Sequence, residues 1–380
     1  MATPIPVPVP VPVSARAAGR TVPDAAGIEA ARAALLASLD RVPIYQLRVE
    51  VETVAPVELS VYPGSALRGA LVQALLDTHC TNKAAPSCTV CPLVRICPVS
   101  ALVAPMRDEA PRGRDVPRPF AITPPVLGEA RLEPGGRWSF GLTLFGSAAS
   151  LFPYVVLSRP QLEANGLGLR DEAGRRGRVA VRRIASLGGA GETTLYSAGA
   201  ARIAAPAASD ARARIEARAA SLPGDALTLH LTTPMRLVAE GTVQREVRPA
   251  VLVHRILERW EAIRREYAAP GGDDPLAPLR GPIPEGASGD PRLLLAAADG
   301  VRVILDATHW VELASWSSRQ RHFTPIGGLI GDLALAGPLA ALREVLVLGE
   351  LIHAGKDVVK GNGCYTILVP SGEGEARPWN

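Results

Sequence analysis

Apolar and polar positions along the first half of the chain fall into two periods. In residues 45–53, Leu47, Val49 and Val51 alternate with Arg48, Glu50 and Glu52, the period of two of a half-buried strand. Pro63-Gly64-Ser65 then supplies a turn and a helix start, and Leu67, Leu71 and Leu75 lie on one helical stripe. Strands are predicted near Phe120–Ile122, over Trp138–Phe145 and over Arg178–Ile184, with a helix over Leu151–Leu162 despite Pro153 and Pro160. The order β-α-β-β-α-β is the signature of a ferredoxin-like domain.

The second half repeats that order. Leu227, Leu229 and Leu231 alternate with Thr228, His230 and Thr232, a strand. Ala250–Tyr267 reads as a helix with Leu252, Ile256, Trp260 and Ile263 inward, and a hairpin is expected from Trp310–Arg321 and Leu329–Leu335 around Pro325–Gly328. Pro338–Ile352 is a second helix and Cys364–Val369 a last strand. The expected fold class is therefore α+β, two tandem ferredoxin-like domains with a Cys-rich insert, residues 80–97, in the first. Residues 1–43 form a Pro/Ala-rich arm, disordered or partly helical, since alternating Pro in 3–13 favours an extended polyproline-type conformation. The first domain is assigned to 44–225, ending at Pro223-Gly224-Asp225, the second to 226–370, and 371–380 is a tail.

Composition narrows the function. Apolar residues are 47% and charged residues 21% of 380, which excludes wholesale disorder. Aromatics are 4%, so a nucleic-acid surface here cannot rely mainly on base stacking. The net charge of +4 is too mild to require a polyanion partner, but Lys occurs only at 83, 356 and 360, which makes those positions informative. No apolar run approaches the ~20 residues of a membrane span. Five Cys, four of them clustered, do not form a secreted disulfide framework, and a cytoplasmic protein is expected.

Three groups of residues carry chemistry. Cys80, Cys88, Cys91 and Cys97 put four thiols in 18 residues around a C-x2-C core, a soft-ligand site for structural zinc, with an iron–sulfur cluster or unligated thiols as alternatives. Gly355-Lys356-Asp357-Val358-Val359-Lys360-Gly361-Asn362-Gly363 sits between a helix and the last strand, where glycines admit a phosphate to the backbone and Lys356 and Lys360 add charge. The hairpin segment 315–322, with Arg319 and Arg321 on one strand face, runs into Gly327, Gly328 and Gly331 and suits RNA phosphates and base edges; a solvated edge hairpin is the plainer reading. The dense arginines of 170–183 read first as a solvated charged loop and second as an RNA flank contact.

The runs SSRQR, GGLIGDLALAG and LGELIHAGKDVVKGNGCYTI resemble the C-terminal domain of the CRISPR-associated precursor-RNA processing endoribonucleases, RRM-like proteins of the RAMP superfamily. PGSALRGALVQALL, the Cys cluster, RPFAITPP, FGLTLFGSA and TTPMRLV resemble long members of that family, so the similarity covers about residues 44–370. It implies binding of CRISPR repeat RNA and a single cut without catalytic metal, by attack of a 2′-hydroxyl on the adjacent phosphate. It also implies possible effector-complex partners, and its alternative is a catalytically silent repeat-RNA-binding subunit. The family's general base usually lies near the first helix, which implies His79, with His322 as second choice. Should the chain lack a catalytic His, Tyr45, Arg68 and Lys83 are the candidates. His230 reads as structural, His254 as a surface or interface residue, and His353 as a protonated helix C-cap.

Overall fold

A computed structural model describes residues 25–106, 116–126, 131–188, 191–269, 279, 289–317 and 322–368. The Pro-rich segment 3–13, Arg319, Arg321 and the tail 371–380 lie outside these described residues. Helix α1 (Ala25–Leu39) leads into β1 (Ile44–Thr53), the central strand of a five-stranded antiparallel sheet. Its other members are β3 (Phe120–Thr123), β5 (Arg137–Phe145), β8 (Val179–Gly188) and β9 (Gly191–Ser197), in the order β3-β5-β1-β8-β9. Among the described residues four two-stranded ribbons decorate the fold; three are β2 (Val57–Glu58) with β4 (Arg131–Leu132), β6 (Leu167–Arg170) with β7 (Arg176–Gly177), and β11 (Val238–Ala239) with β12 (Thr242–Val243).

The period-two reading of β1 holds in register. Leu47, Val49 and Val51 are buried in one core with Leu67, Leu142, Leu144, Phe152 and Ile184. Helix α2 (Gly64–His79) covers that face together with α4 (Phe152–Leu157) and α5 (Arg159–Asn165). The single helix expected over 151–162 is two short ones, each with Pro in its first turn where the missing N–H costs nothing. On the opposite sheet face, Glu50 pairs with Arg183 at 2.7 Å and Glu52 with Arg182 at 3.1 Å. Asp171 pairs with Arg175 at 3.2 Å. Much of the Arg run of 170–183 is thus neutralised within the protein, which favours the solvated charged surface over an RNA flank.

In the second domain, β10 (Ala226–Met235) lies between β16 (Gly328–Ala336) and β17 (Tyr365–Leu368), with β13 (Arg302–Val311) on the far edge of β16. Leu227, Leu229 and Leu231 enter a core with α7 (Pro249–Tyr267) and α9 (Arg343–Ile352). The hairpin signal before Gly328 resolves into two pieces. β13 and β16 pair directly, and between them β14 (Ala314–Ser317) and β15 (His322–Pro325) project as a separate ribbon.

Two helices, one in the segment assigned to the arm and one, not expected from sequence, in the segment assigned to the first domain, pack in the second core. Ala31 and Leu35 of α1 and Ile215 and Ala219 of α6 (Ala211–Ala220) share the core of α7 and α9. Trp260 Nε1 of α7 donates to Ser38 Oγ of α1 at 2.8 Å, and Arg32 of α1 forms an ion pair with Glu344 of α9. The last helix, α8 (Arg292–Ala298), closes that core beside α1. No helix of the described residues is long and apolar enough to cross a membrane.

Candidate nucleic-acid interface

The glycine-rich loop is built at the junction of the two domains. Helix α9 ends at Ile352, and His353 takes φ 63°, ψ 159°, a backbone region that favours glycine. Its ring is buried and held by Thr123 Oγ1, 3.2 Å from Nε2, and by Cys364 Sγ, 3.4 Å from each ring nitrogen. Burial, then the nearby Arg259 guanidinium, lower its pKa to about 3, so the ring is neutral rather than the protonated cap expected from sequence. Burial pushes the Cys364 thiol up to about 12, a core group.

Beyond His353 the loop turns through a 3-10 segment, Val358–Lys360, and meets the first turn of α2. A Cβ on Gly64 would stand 2.2 Å from the Lys360 carbonyl oxygen, and one on Gly361, at φ 79°, 3.0 Å from Gly64 Cα. Side chains at either position would wedge the domains apart. The hydroxyls of Ser65 on α2 and Ser315 on β14 lie 2.7 Å apart, so the ribbon joins the same seam.

The sequence-predicted glycines divide by exposure. Gly327, Gly328, Gly361 and Gly363 are buried, and Gly331 and Gly355 are partly covered. A Cβ on Gly328 would strike the Met235 backbone at 2.6 Å, and one on Gly355 the Arg236 carbonyl at 2.6 Å. Their visible role is close backbone packing that shapes the loop, rather than an open phosphate cradle. Of the two loop lysines, Lys360 Nζ is engaged by Asp357 Oδ1 at 3.1 Å. Lys356 is exposed, with its backbone N–H donating to the Arg236 carbonyl at 3.0 Å.

Arg236, Arg245 and Arg118, not singled out from sequence, complete this surface together with the sequence candidate Arg68. Arg236 Nη1 donates to the Gly327 carbonyl at 3.1 Å. The guanidinium carbons of Arg236 and Arg245 lie 5.7 and 3.8 Å from the Trp310 ring centroid, and Arg245 also reaches Glu312 at 3.4 Å. On α2, Arg68 has a buried Nε without a hydrogen-bond partner. Burial, then the nearby Arg118, hold its pKa down to about 10. Arg118 itself spends its Nε on the Val103 carbonyl at 2.9 Å. Two neighbouring guanidiniums of which neither has a carboxylate among the described residues favour an anion between or beside them. No sequence motif marks Arg118 or Arg236; strand pairing and domain packing bring them here.

His79 ends α2, about 22 Å from Gly64 at 1.5 Å per residue. The Tyr154 carbonyl lies 3.1 Å from its Nε2, and the two rings meet edge-on at 5.1 Å. A carbonyl only accepts, so Nε2 carries a proton, and the lone pair of a neutral ring falls on Nδ1. His322 lies on the ribbon, with Nδ1 bonded to the Phe323 carbonyl at 3.0 Å and Nε2 correspondingly free to accept. His230, read as structural, is half-exposed on the open sheet face, where Asp332 Oδ1 meets its Nδ1 at 2.6 Å. His254 is on α7 and His309 on β13.

The Cys segment follows α2 and packs through Cys88 and Cys97 on Leu75, Val99, Leu102 and Val103, the last three from helix α3 (Pro98–Val103). All four thiols are free and half-buried. Burial and the other three cysteines push the Cys88 thiol up, and Asn82 Nδ2 donates to Cys91 Sγ at 3.5 Å. The donor set, four thiols within 18 residues, suits a soft cation by its chemistry. Among the described residues no group of three or more His, Cys, Asp or Glu is placed so that it could hold a metal ion.

The paired sheets and the basic seam define a tandem ferredoxin-like protein. Residues 229–365 match the family model of the CRISPR-associated endoribonuclease Cas6, and residues 42–208 match a family described as an N-terminal domain, AF_1859_N. The second half of the chain is thus similar to the Cas6 endoribonucleases. In fold it is similar to a chain of a partial Cas6-RT-Cas1–Cas2 complex, with TM-score 0.51 and 12% identity over 86% of this chain and 46% of that one. The chain spans 29% of its counterpart in the Cas6-RT-Cas1–Cas2 complex, again at TM-score 0.51 and 12% identity over 86% of this chain. Thermus thermophilus Cas6 aligns over 86% of this chain and 99% of its own, at TM-score 0.44 and 14% identity. No curated protein matches the sequence.

Proposed function

We propose that this chain binds CRISPR repeat RNA across the domain seam and cuts it once by metal-independent transesterification. The supporting observation is a cation group at the seam with no carboxylate partner among the described residues: Lys356 and Arg236 at the glycine loop, and Arg68 of α2 with Arg118 near it. Phosphates attract such a group without regard to sequence, and the shaped loop sets their register. In the reaction the 2′-hydroxyl loses its proton to a base and attacks the adjacent phosphorus. The P–O5′ bond breaks, and the leaving oxygen takes a proton, giving a 2′,3′-cyclic phosphate and a 5′-hydroxyl. Guanidiniums beside the phosphorane stabilise its added charge.

His79 is assigned as the base through its Nδ1 lone pair. A second reading assigns His322, because its ribbon touches the seam directly whereas His79 stands at the far end of α2. Arg319 and Arg321 are retained as RNA contacts on the sequence pattern. The four cysteines are assigned to structural zinc, held by Cys80, Cys88, Cys91 and Cys97, which would tie the Cys segment to α2 and α3 without entering the chemistry. Cas1, Cas2 and reverse transcriptase accompany Cas6 in the complexes of similar fold, and CRISPR proteins of that kind are the expected partners.

The test is cleavage of the host's repeat RNA in EDTA, with a 2′-deoxy substitution at the cut as control. Cleavage in EDTA that stops with the deoxy substrate supports the mechanism. Tight binding with no cleavage of either RNA assigns the chain as a silent binding subunit.

A further inference from the structure

Among the described residues only two aromatic side chains stand largely in solvent, Trp316 at 53% and Phe323 at 66% exposure. They are direct cross-strand partners on the two-stranded ribbon, with ring centroids 5.1 Å apart and planes at 69°. An edge-to-face pair leaves a ring face uncovered. Successive residues of a strand point to opposite faces, and here the division is sharp. Ser315 is buried and turned to Ser65 of α2, while its neighbour Trp316 faces outward. The ribbon is thus fixed to the first domain by one face and presents an aromatic pair on the other.

The charges around it select the occupant. Trp310, packed with Arg236 and Arg245, stands one short link before the ribbon, and Lys356 is bonded through its backbone to Arg236. A second copy of this chain would bring like charges together. A nucleic acid brings phosphates to the cations and π-faces to the rings.

We propose that Trp316 and Phe323 form a stacking platform for one unpaired nucleobase of the bound RNA, beside the seam that holds its backbone. The inference rests on the RNA-binding reading above and adds a base contact to it. Stacking tolerates any base, so the platform selects an unpaired position rather than a letter.

The test measures affinity of the full chain for labelled repeat RNA at fixed salt, with Trp316→Ala, Phe323→Ala, Trp316→Phe and Lys356→Ala. A second set of RNAs carries single abasic substitutions. Trp316→Ala is expected to weaken binding roughly tenfold, and Trp316→Phe to retain most of it. One abasic position should cost the wild type a similar factor and cost Trp316→Ala nothing further, since both remove the same contact. The salt dependence should be unchanged by Trp316→Ala and reduced by Lys356→Ala. Thermal melts of the free proteins establish that each variant is folded. If both alanine variants bind every RNA within twofold of wild type while Lys356→Ala weakens binding, the platform is wrong and the RNA-binding reading stands. If the wild type binds no repeat RNA, that reading fails first. Loss of a dimer in light scattering on Trp316→Ala, with RNA affinity intact, would give the platform to a second copy and overturn the proposal.

Discussion

Lys356 and Arg236 are bonded to one another through the backbone yet contribute separately to charge at the loop. Each alanine substitution should lower RNA affinity at all sequences and reduce the slope of log affinity against log salt by roughly one. Filter binding from low to moderate salt checks this, and unaltered slopes would remove the seam from the RNA surface. His353 yields a stability prediction. Its folded pKa, about 3, lies below the ordinary value of about 6.5. The unfolded chain therefore binds the extra proton first as pH falls. Stability from the neutral buried ring is complete above about pH 6.5 and drains away down to about pH 3. Urea titrations should show this acid limb in the wild type and a flatter one in His353→Gln. Four of the six His also separate here by environment, which spacing along the chain does not reveal: one buried and neutral, one beside an aspartate, two with a ring nitrogen on a carbonyl.

Helix α2 works at both ends. Its first turn meets the glycine loop with no room for a Cβ at Gly64, so Gly64→Ala should destabilise the protein by about 1–3 kcal/mol and weaken RNA binding through the displaced loop. A denaturant melt and a binding assay on the same sample test both effects. Its last turn carries His79. His79→Ala should abolish cleavage with binding retained; if His322→Ala does so instead, the base lies on the ribbon. At the Cys segment, purified protein should hold one zinc per chain by elemental analysis. A strong chelator should lower its melting temperature, and a metal-free preparation with the same melting temperature would return the four thiols to unligated residues.

At the scale of the molecule, α1 is part of the second core although it precedes the first domain. Leu35→Ala, which empties a fully buried site, should cost about 2–5 kcal/mol, as for other core leucines. The loss should appear in the single unfolding transition that reports the second domain. An engineered chain starting at residue 44 should be destabilised for the same reason.

Local pattern was enough for the strands β1 and β10, the helix α7 and the repeated β-α-β-β-α-β order, because burying one face of a strand or helix imposes its period directly on the residues. The sequence also marked the glycine loop and its two lysines, since glycine and lysine are distinctive wherever they stand. It did not separate Lys356 from Lys360, one exposed and one paired with Asp357, because that depends on a turn rather than a period. Nor did it place α1 and α6 on the second core, join Ser65 to Ser315, or gather Arg68 with Arg118 and Arg236 with Trp310. Those contacts connect residues far apart in sequence, and no local propensity encodes them. They exist only once two hydrophobic cores have formed and the remaining polar groups must find partners across the seam.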